Sequence, residues 1–336
     1  MKSNNNRIEY IDYLKGLSVT WVVWFHTTHP DFVDYPYRIP LFFFVSGIFF
    51  KPYSWNIFWR KKINQLVIPF ILFYFIYYIY QLGINLLKYH SFDYFNPLSI
   101  LGVFQTYTGN DTFIINPPLW FICALINLQL ILYTLTKCIS NKCIMFIISI
   151  FISIAGLYYL KQIPTPFMIG RSLPYFIYYV VGYIGGKNFI KYLNSNIKNI
   201  IISLSCLMTW GIIILIKPIT INNHLSDFLS YIEILSVIAI LIIILRKIYK
   251  IPLLYPLKFF GINSYIVLGM HEIYQTTFRI IIENSFGTIS IWLGILQTIL
   301  TLLMLWPTII LFNKYFTYLV AKQELIKLPI VTKNER

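Results

Sequence analysis

Charge is what this chain has least of. Only 12% of its 336 residues are Asp, Glu, Lys or Arg, and only 12 are acidic, against 58% hydrophobic. With a mean hydropathy of +0.68, that excludes an ordinary soluble domain, in which about a quarter of residues are charged. Cysteine is also sparse. Cys123, Cys138, Cys143 and Cys206 lie in or beside apolar runs with no CxxC pair and no ligand spacing, so neither a disulfide framework nor a zinc site is expected. The five histidines form no ligand constellation either, and no metal or permanently bound cofactor is expected. The start is polar (Met1-Lys2-Ser3-Asn4-Asn5-Asn6-Arg7) and the first apolar run lacks a small-residue cleavage site, which argues against a cleavable leader. No internal repeat, low-complexity block or appended soluble domain stands out. The net charge of +15 comes from 27 basic residues spread through short loops, so nucleic acid is not an expected partner.

What is present is a succession of apolar runs. Ten can be drawn, at 11–29, 37–50, 64–87, 118–136, 143–160, 172–187, 198–216, 228–245, 259–281 and 290–313. The second is short, with Pro40 in its first turn, where a tilted or broken helix is expected. With the N-terminus inside, 20 of the 27 basic residues fall on one side and six on the other, while Lys15 lies within the first helix. This bias predicts an all-α, polytopic membrane protein of about ten transmembrane helices with both termini cytoplasmic. Residues 1–320 form the membrane domain, and 321–336 read as a solvated cytoplasmic tail. The outer face carries the longest loop, about 88–117, and an acidic turn with Asp31 and Asp34.

Asp12-Tyr13-Leu14-Lys15-Gly16-Leu17-Ser18-Val19-Thr20-Trp21-Val22-Val23-Trp24-Phe25-His26 is the stretch around which the rest is organised. Lys15 and His26 are eleven residues apart, about three helical turns plus 20°, so both point the same way. Asp12 lies one turn before Lys15 and His29 three residues past His26, which makes a polar line some 25 Å long. Ionisable groups at membrane depth are costly and mark a site or a pathway. The bland alternatives are a Lys15 that snorkels to the interface or pairs with Asp12, and a His26 bonded to a neighbouring helix.

Further pieces follow in order. They are Arg7-Ile8-Glu9-Tyr10-Ile11-Asp12-Tyr13-Leu14-Lys15-Gly16-Leu17 with His26; Pro40-Leu41-Phe42-Phe43-Phe44-Val45-Ser46-Gly47; Arg60-Lys61-Lys62 with Leu66-Val67-Ile68-Pro69; Leu119-Trp120-Phe121-Ile122; and Gly261-Ile262-Asn263-Ser264-Tyr265 with His271. This ordered set, over about 7–275, resembles the acyltransferase family 3 membrane enzymes, and within them the fucose 4-O-acetylase-like acetyltransferases. Lys15 stands where many relatives carry Arg, which keeps the charge and loses the guanidinium fork.

The resemblance implies a bacterial plasma-membrane O-acyltransferase that moves an acetyl or similar group from cytoplasmic acyl-CoA to a cell-surface glycan or lipid-linked saccharide. It makes His26 catalytic and Lys15 its companion, beside Asp12. Imidazole suits a base that removes a hydroxyl proton, or a group that carries the acyl transiently, and the residues leave both open. Arg60, Lys61 and Lys62 suit the donor's phosphates, although any inner loop of a membrane protein is basic. Arg171, on the sparse outer side, wants a glycan anion or an acidic partner such as Asp31 or Asp111. Ser46, Trp120, Ser264, His271 and His29 are further candidates for substrate contact, against an ordinary interhelical role. Glu272 is adjacent to His271 and so on a different face. The rival from another class is a transporter or flippase of a glycan or lipid-linked sugar, and the lack of two similar halves weighs against it.

Overall fold

The computed structural model describes residues 8–27, 36–90, 100, 116–160, 163, 165–193, 196–217, 223–287 and 290–327. Among the described residues 86% are helical and no strand occurs. Helices satisfy their own backbone groups, which is what lipid requires. They are α1 (Glu9–Phe25), α2 (Arg38–Ile48), α3 (Trp55–Lys88), α4 (Pro117–Cys138), α5 (Lys142–Leu160), α6 (169–192, interrupted by 3₁₀ and π turns), α7 (Asn196–Ile216), α8 (Asn223–Ile248), α9 (Pro252–Ile262), α10 (Ser264–Phe286) and α11 (Ile291–Tyr315). Among the described residues each of the ten apolar runs overlaps a helix. By length and apolarity α3, α4, α5, α7, α8 and α11 qualify as membrane spans, and the bent pair α9 and α10 makes up to a seventh. The chain is an all-helical, multi-pass membrane protein. At 17 and 11 residues, α1 and α2 fall short of the roughly 20 that a perpendicular crossing needs.

Local chemistry explains where helix and apolar run diverge. The third helix begins at Trp55, well before the run at 64, and contains a π turn over Ile63–Val67 just ahead of Pro69. Proline has no N–H to donate and crowds the carbonyl four residues back, so a wider turn relieves the conflict. Pro40 sits in the first turn of α2, where proline is tolerated, and the helix is unbroken. The ninth run splits at Asn263, whose amide Nδ2 donates to the Phe259 carbonyl at 2.8 Å. A polar side chain thus replaces the backbone donor lost at the break.

Two compact units are distinguished, each assembled from separated stretches. The first comprises residues 1–22, 34–49 and 178–264. Here glycine sets the packing of α1 on α9, because a Cβ on Gly16 would overlap the Leu257 carbonyl and one on Gly261 the Asp12 carbonyl. Gly47 meets Tyr179 and Gly182 meets Phe44 in the same way where α2 crosses α6. Close approach through small residues is how membrane helices gain packing when lipid is as apolar as leucine. The unit also buries a carboxylate. Glu233 accepts from the Tyr37 hydroxyl at 2.6 Å and from Lys217 Nζ at 2.8 Å, and Trp210 Nε1 donates to that hydroxyl at 3.4 Å.

The second unit comprises residues 23–33, 50–177 and 265–336. Gly269 on α10 lies against the Phe73 ring of α3, and Asn116 Nδ2 donates to the Gly269 carbonyl at 3.0 Å. Where α5 ends, the chain turns through two left-handed residues, Phe167 (φ 53°) and Met168 (φ 62°). Asn127 on α4 holds this turn by donating to the Phe167 carbonyl at 2.7 Å. After α11 the chain runs back to α3, where Asn64 donates to the Ile326 carbonyl at 2.8 Å and accepts from its N–H at 2.9 Å. Asp31, Asp34, Asp93, Asn110 and Asp111 of the expected outer loops, and the tail past Lys327, lie outside the described residues.

Candidate active site

The end of α1 organises the second unit's polar centre. A helix leaves its last carbonyls without partners, and at membrane depth something must satisfy them. Side chains of α10 do so. Gln275 Nε2 donates to the Val23 carbonyl at 2.5 Å and Arg279 to the His26 carbonyl at 3.0 Å. A cation there also complements the negative end of the helix dipole. Gln275 is in turn fixed from behind, since Gln297 of α11 donates to its carbonyl at 3.0 Å. On its other flank α10 is tied to α3 through Tyr80 and Thr277, whose hydroxyls are 2.9 Å apart.

His26 sits in the notch between these elements with a quarter of its side chain exposed, and its Nδ1 lies 3.6 Å from Glu272 Oε2. Its ring centroid is 5.3 Å from that of His271. His271 is fully buried, and its Nδ1 is 2.8 Å from the Val267 carbonyl. A carbonyl only accepts, so in the neutral ring Nδ1 carries the hydrogen and Nε2 presents a lone pair. That Nε2 has no hydrogen-bond partner, and neither do Glu272 Oε2, Gln275 Oε1 and Arg279 Nε, all of them buried atoms. Four unmatched polar atoms on two turns of one helix, facing an imidazole, are an unusual concentration. The arrangement suits proton transfer at His26, because the Glu272 carboxyl 3.6 Å from Nδ1 would favour the ring as it gains a proton.

Of the residues singled out from sequence, His26 and His271 come together here. Trp120 and Arg171 meet elsewhere in the same unit, with the guanidinium 4.6 Å from the indole centroid. Arg60 donates to the Lys327 carbonyl at 2.9 Å, Lys61 lies 3.6 Å over the Tyr53 ring and Lys62 5.3 Å from that of Phe58. Asp12, Lys15, Ser46 and Ser264 belong to the first unit. There Asp12 and Ser264 are buried, Ser46 is half-buried, and Lys15 lies 5.4 Å from the Phe49 ring centroid. His29 lies outside the described residues.

Sequence reasoning passed over three members of the centre. Adjacency to His271 puts Glu272 on a different face, yet His26 meets both, Glu272 at 3.6 Å and the His271 ring at 5.3 Å between centroids. Gln275 and Arg279 went unread. The signal lay in the spacing, since Glu272, Gln275 and Arg279 stand at i, i+3 and i+7 and make one polar stripe.

Residues 8–313 match the family model described as an acyltransferase domain, which takes in α1 through α10 and nearly all of α11. The chain belongs to acyltransferase family 3. No curated protein and no solved structure matches it. Membership makes the chain a membrane acyltransferase, working on an acyl donor and an acceptor. The His26 and Glu272 centre falls within the matched region.

Proposed function

We propose that this protein is an O-acetyltransferase of the fucose 4-O-acetylase-like kind, with acetyl-CoA as donor and a hydroxyl of a cell-surface glycan or its lipid-linked precursor as acceptor. It works in a bacterial plasma membrane with both termini cytoplasmic, so α1 rises from the donor side and His26 stands near its far end. The observation that carries this reading is His26 Nδ1 at 3.6 Å from Glu272. A carboxylate on one ring nitrogen makes the other a directed base.

In the reaction, His26 Nε2 takes the proton of the sugar hydroxyl as that oxygen attacks the thioester carbonyl. The carbonyl π electrons move onto its oxygen and return as the C–S bond breaks. The departing CoA thiolate receives the proton from the imidazolium, so ester and thiol form with no net change in charge. Glu272 stabilises the imidazolium between these steps. The Arg60, Lys61 and Lys62 run supplies cations for the donor's phosphates. His271 packs against the His26 ring, and Trp120 with Arg171 offers a stacking surface and a charge to a saccharide.

The test compares surface glycans by NMR in cells carrying the wild type, His26→Ala or a deletion, with membrane levels of the variant matched. Loss of O-acetyl signals in both mutants, with glycan amount unchanged, is expected. Intact acetylation with reduced glycan export overturns the reading in favour of transport. Rapid-quench mass spectrometry separates direct transfer from a relay, because a relay leaves acyl-histidine in a single turnover.

A further inference from the structure

Arg279 is the unexplained charge of the centre. It lies on α10, yet among the described residues no carboxylate stands within ion-pair distance of it. One terminal nitrogen is used on the His26 carbonyl at 3.0 Å, while Nε is buried and has no partner. A guanidinium is a fork built for two parallel bonds to a carboxylate or phosphate. Cations at membrane depth are normally paired, and this part-buried one leaves its Nε unmatched.

Two kinds of anion suit such a group, and position decides between them. An oxyanion donor must come within about 3 Å of the reacting carbonyl oxygen. Arg279 is anchored on the main chain of His26, whereas the imidazole reaches to Glu272, seven residues earlier on α10. Seven residues are nearly two turns, which returns to the same face about 10 Å further along the axis. The guanidinium is therefore held on the main chain of His26 rather than on its ring, within electrostatic reach of Glu272. In the proposed orientation it also lies on the acceptor's side of His26. It is placed where the substrate's own charge would sit, at the remove of a neighbouring group or sugar.

We infer that Arg279 is an acceptor-binding residue that seats a permanent anion, so that the acceptor is an acidic glycan bearing a carboxylate or phosphate on the acylated sugar or the one next to it. This rests on the acyl-transfer reading and deepens it. Gln275 belongs to the same seat. Its carbonyl oxygen Oε1, one turn from Arg279, is buried and unpartnered, and takes a hydrogen bond from a sugar hydroxyl beside the anion.

The first arm of the test needs no Arg279 variant. Glycan from wild-type and His26→Ala cells is analysed by NMR to find the sugar that loses its acyl group. A carboxylate or phosphate on that sugar or on either neighbour is expected; three neutral sugars overturn the inference while leaving acyl transfer intact. The second arm compares Arg279→Gln with Arg279→Lys, both extracted from membranes as monodisperse protein. Acylation at least tenfold below wild type in Arg279→Gln, with a third or more retained in Arg279→Lys, is expected. Wild-type acylation in Arg279→Gln overturns the inference. If His26→Ala leaves every acyl group in place, the acyl-transfer reading itself fails, and the two failures are thereby distinguished.

Discussion

Glu272→Gln removes one charge from the centre and keeps its shape. The carboxylate lies 3.6 Å from His26 Nδ1, and the two side chains are 13% and 25% exposed. At an effective dielectric of about 20, unit charges at that separation attract by roughly 4–5 kcal/mol. The attraction exists only when the ring is protonated, so it acts as the imidazole gains its proton in the transition state. With about half a charge developed there, roughly 2 kcal/mol of barrier stabilisation is at stake, which is about 30-fold in rate. A glutamine that turns its amide toward Nδ1 also offers a donor where an acceptor is needed, which raises the loss toward 10³-fold. The assay is transfer of labelled acetyl from acetyl-CoA in membranes of matched protein content. The expected outcome is kcat reduced 30-fold to 10³-fold with KM for acetyl-CoA within threefold of wild type. A variant retaining a third of wild-type kcat, in membranes where His26→Ala is inactive, refutes the claim that Glu272 directs the base.

Three further outcomes test the packing within each unit. Gly261→Ala drives a methyl into the Asp12 carbonyl, and overpacking of this kind costs about 1–3 kcal/mol, to be read as a lower thermal midpoint in detergent. Lys217→Met leaves the Glu233 carboxylate buried without its cation and is expected to cost about 3–5 kcal/mol, whereas Lys217→Met with Glu233→Leu recovers most of it; equal losses in both would refute the pairing argument. Asn64→Ala deletes both hydrogen bonds to Ile326, about 1 kcal/mol each. Proteolysis near residue 326 should then quicken by roughly 30-fold, with the rest of the chain protected.

The sequence by itself determined the class of this protein. Its apolar runs marked the helical, membrane-spanning character of the chain, since a segment in lipid has few ways to satisfy its backbone, and the order of short motifs was enough to recognise the family. It also brought His26 forward, because an imidazole at the end of an apolar helix is conspicuous. What it could not reach were relations that depend on where one helix passes another. Glu272 joins His26 only because the end of α1 fits between adjacent side chains of α10, 246 positions later in the chain. Arg279 reads as one more loop-side cation until the structure sets it on the His26 carbonyl just past α1 and leaves its Nε unmatched. Arg60, Lys61 and Lys62 are three equal cations in the sequence; tertiary contacts give one a carbonyl and the other two aromatic rings. Periodicity fixes which way a side chain points along its own helix, and only the packing of helices fixes what it meets.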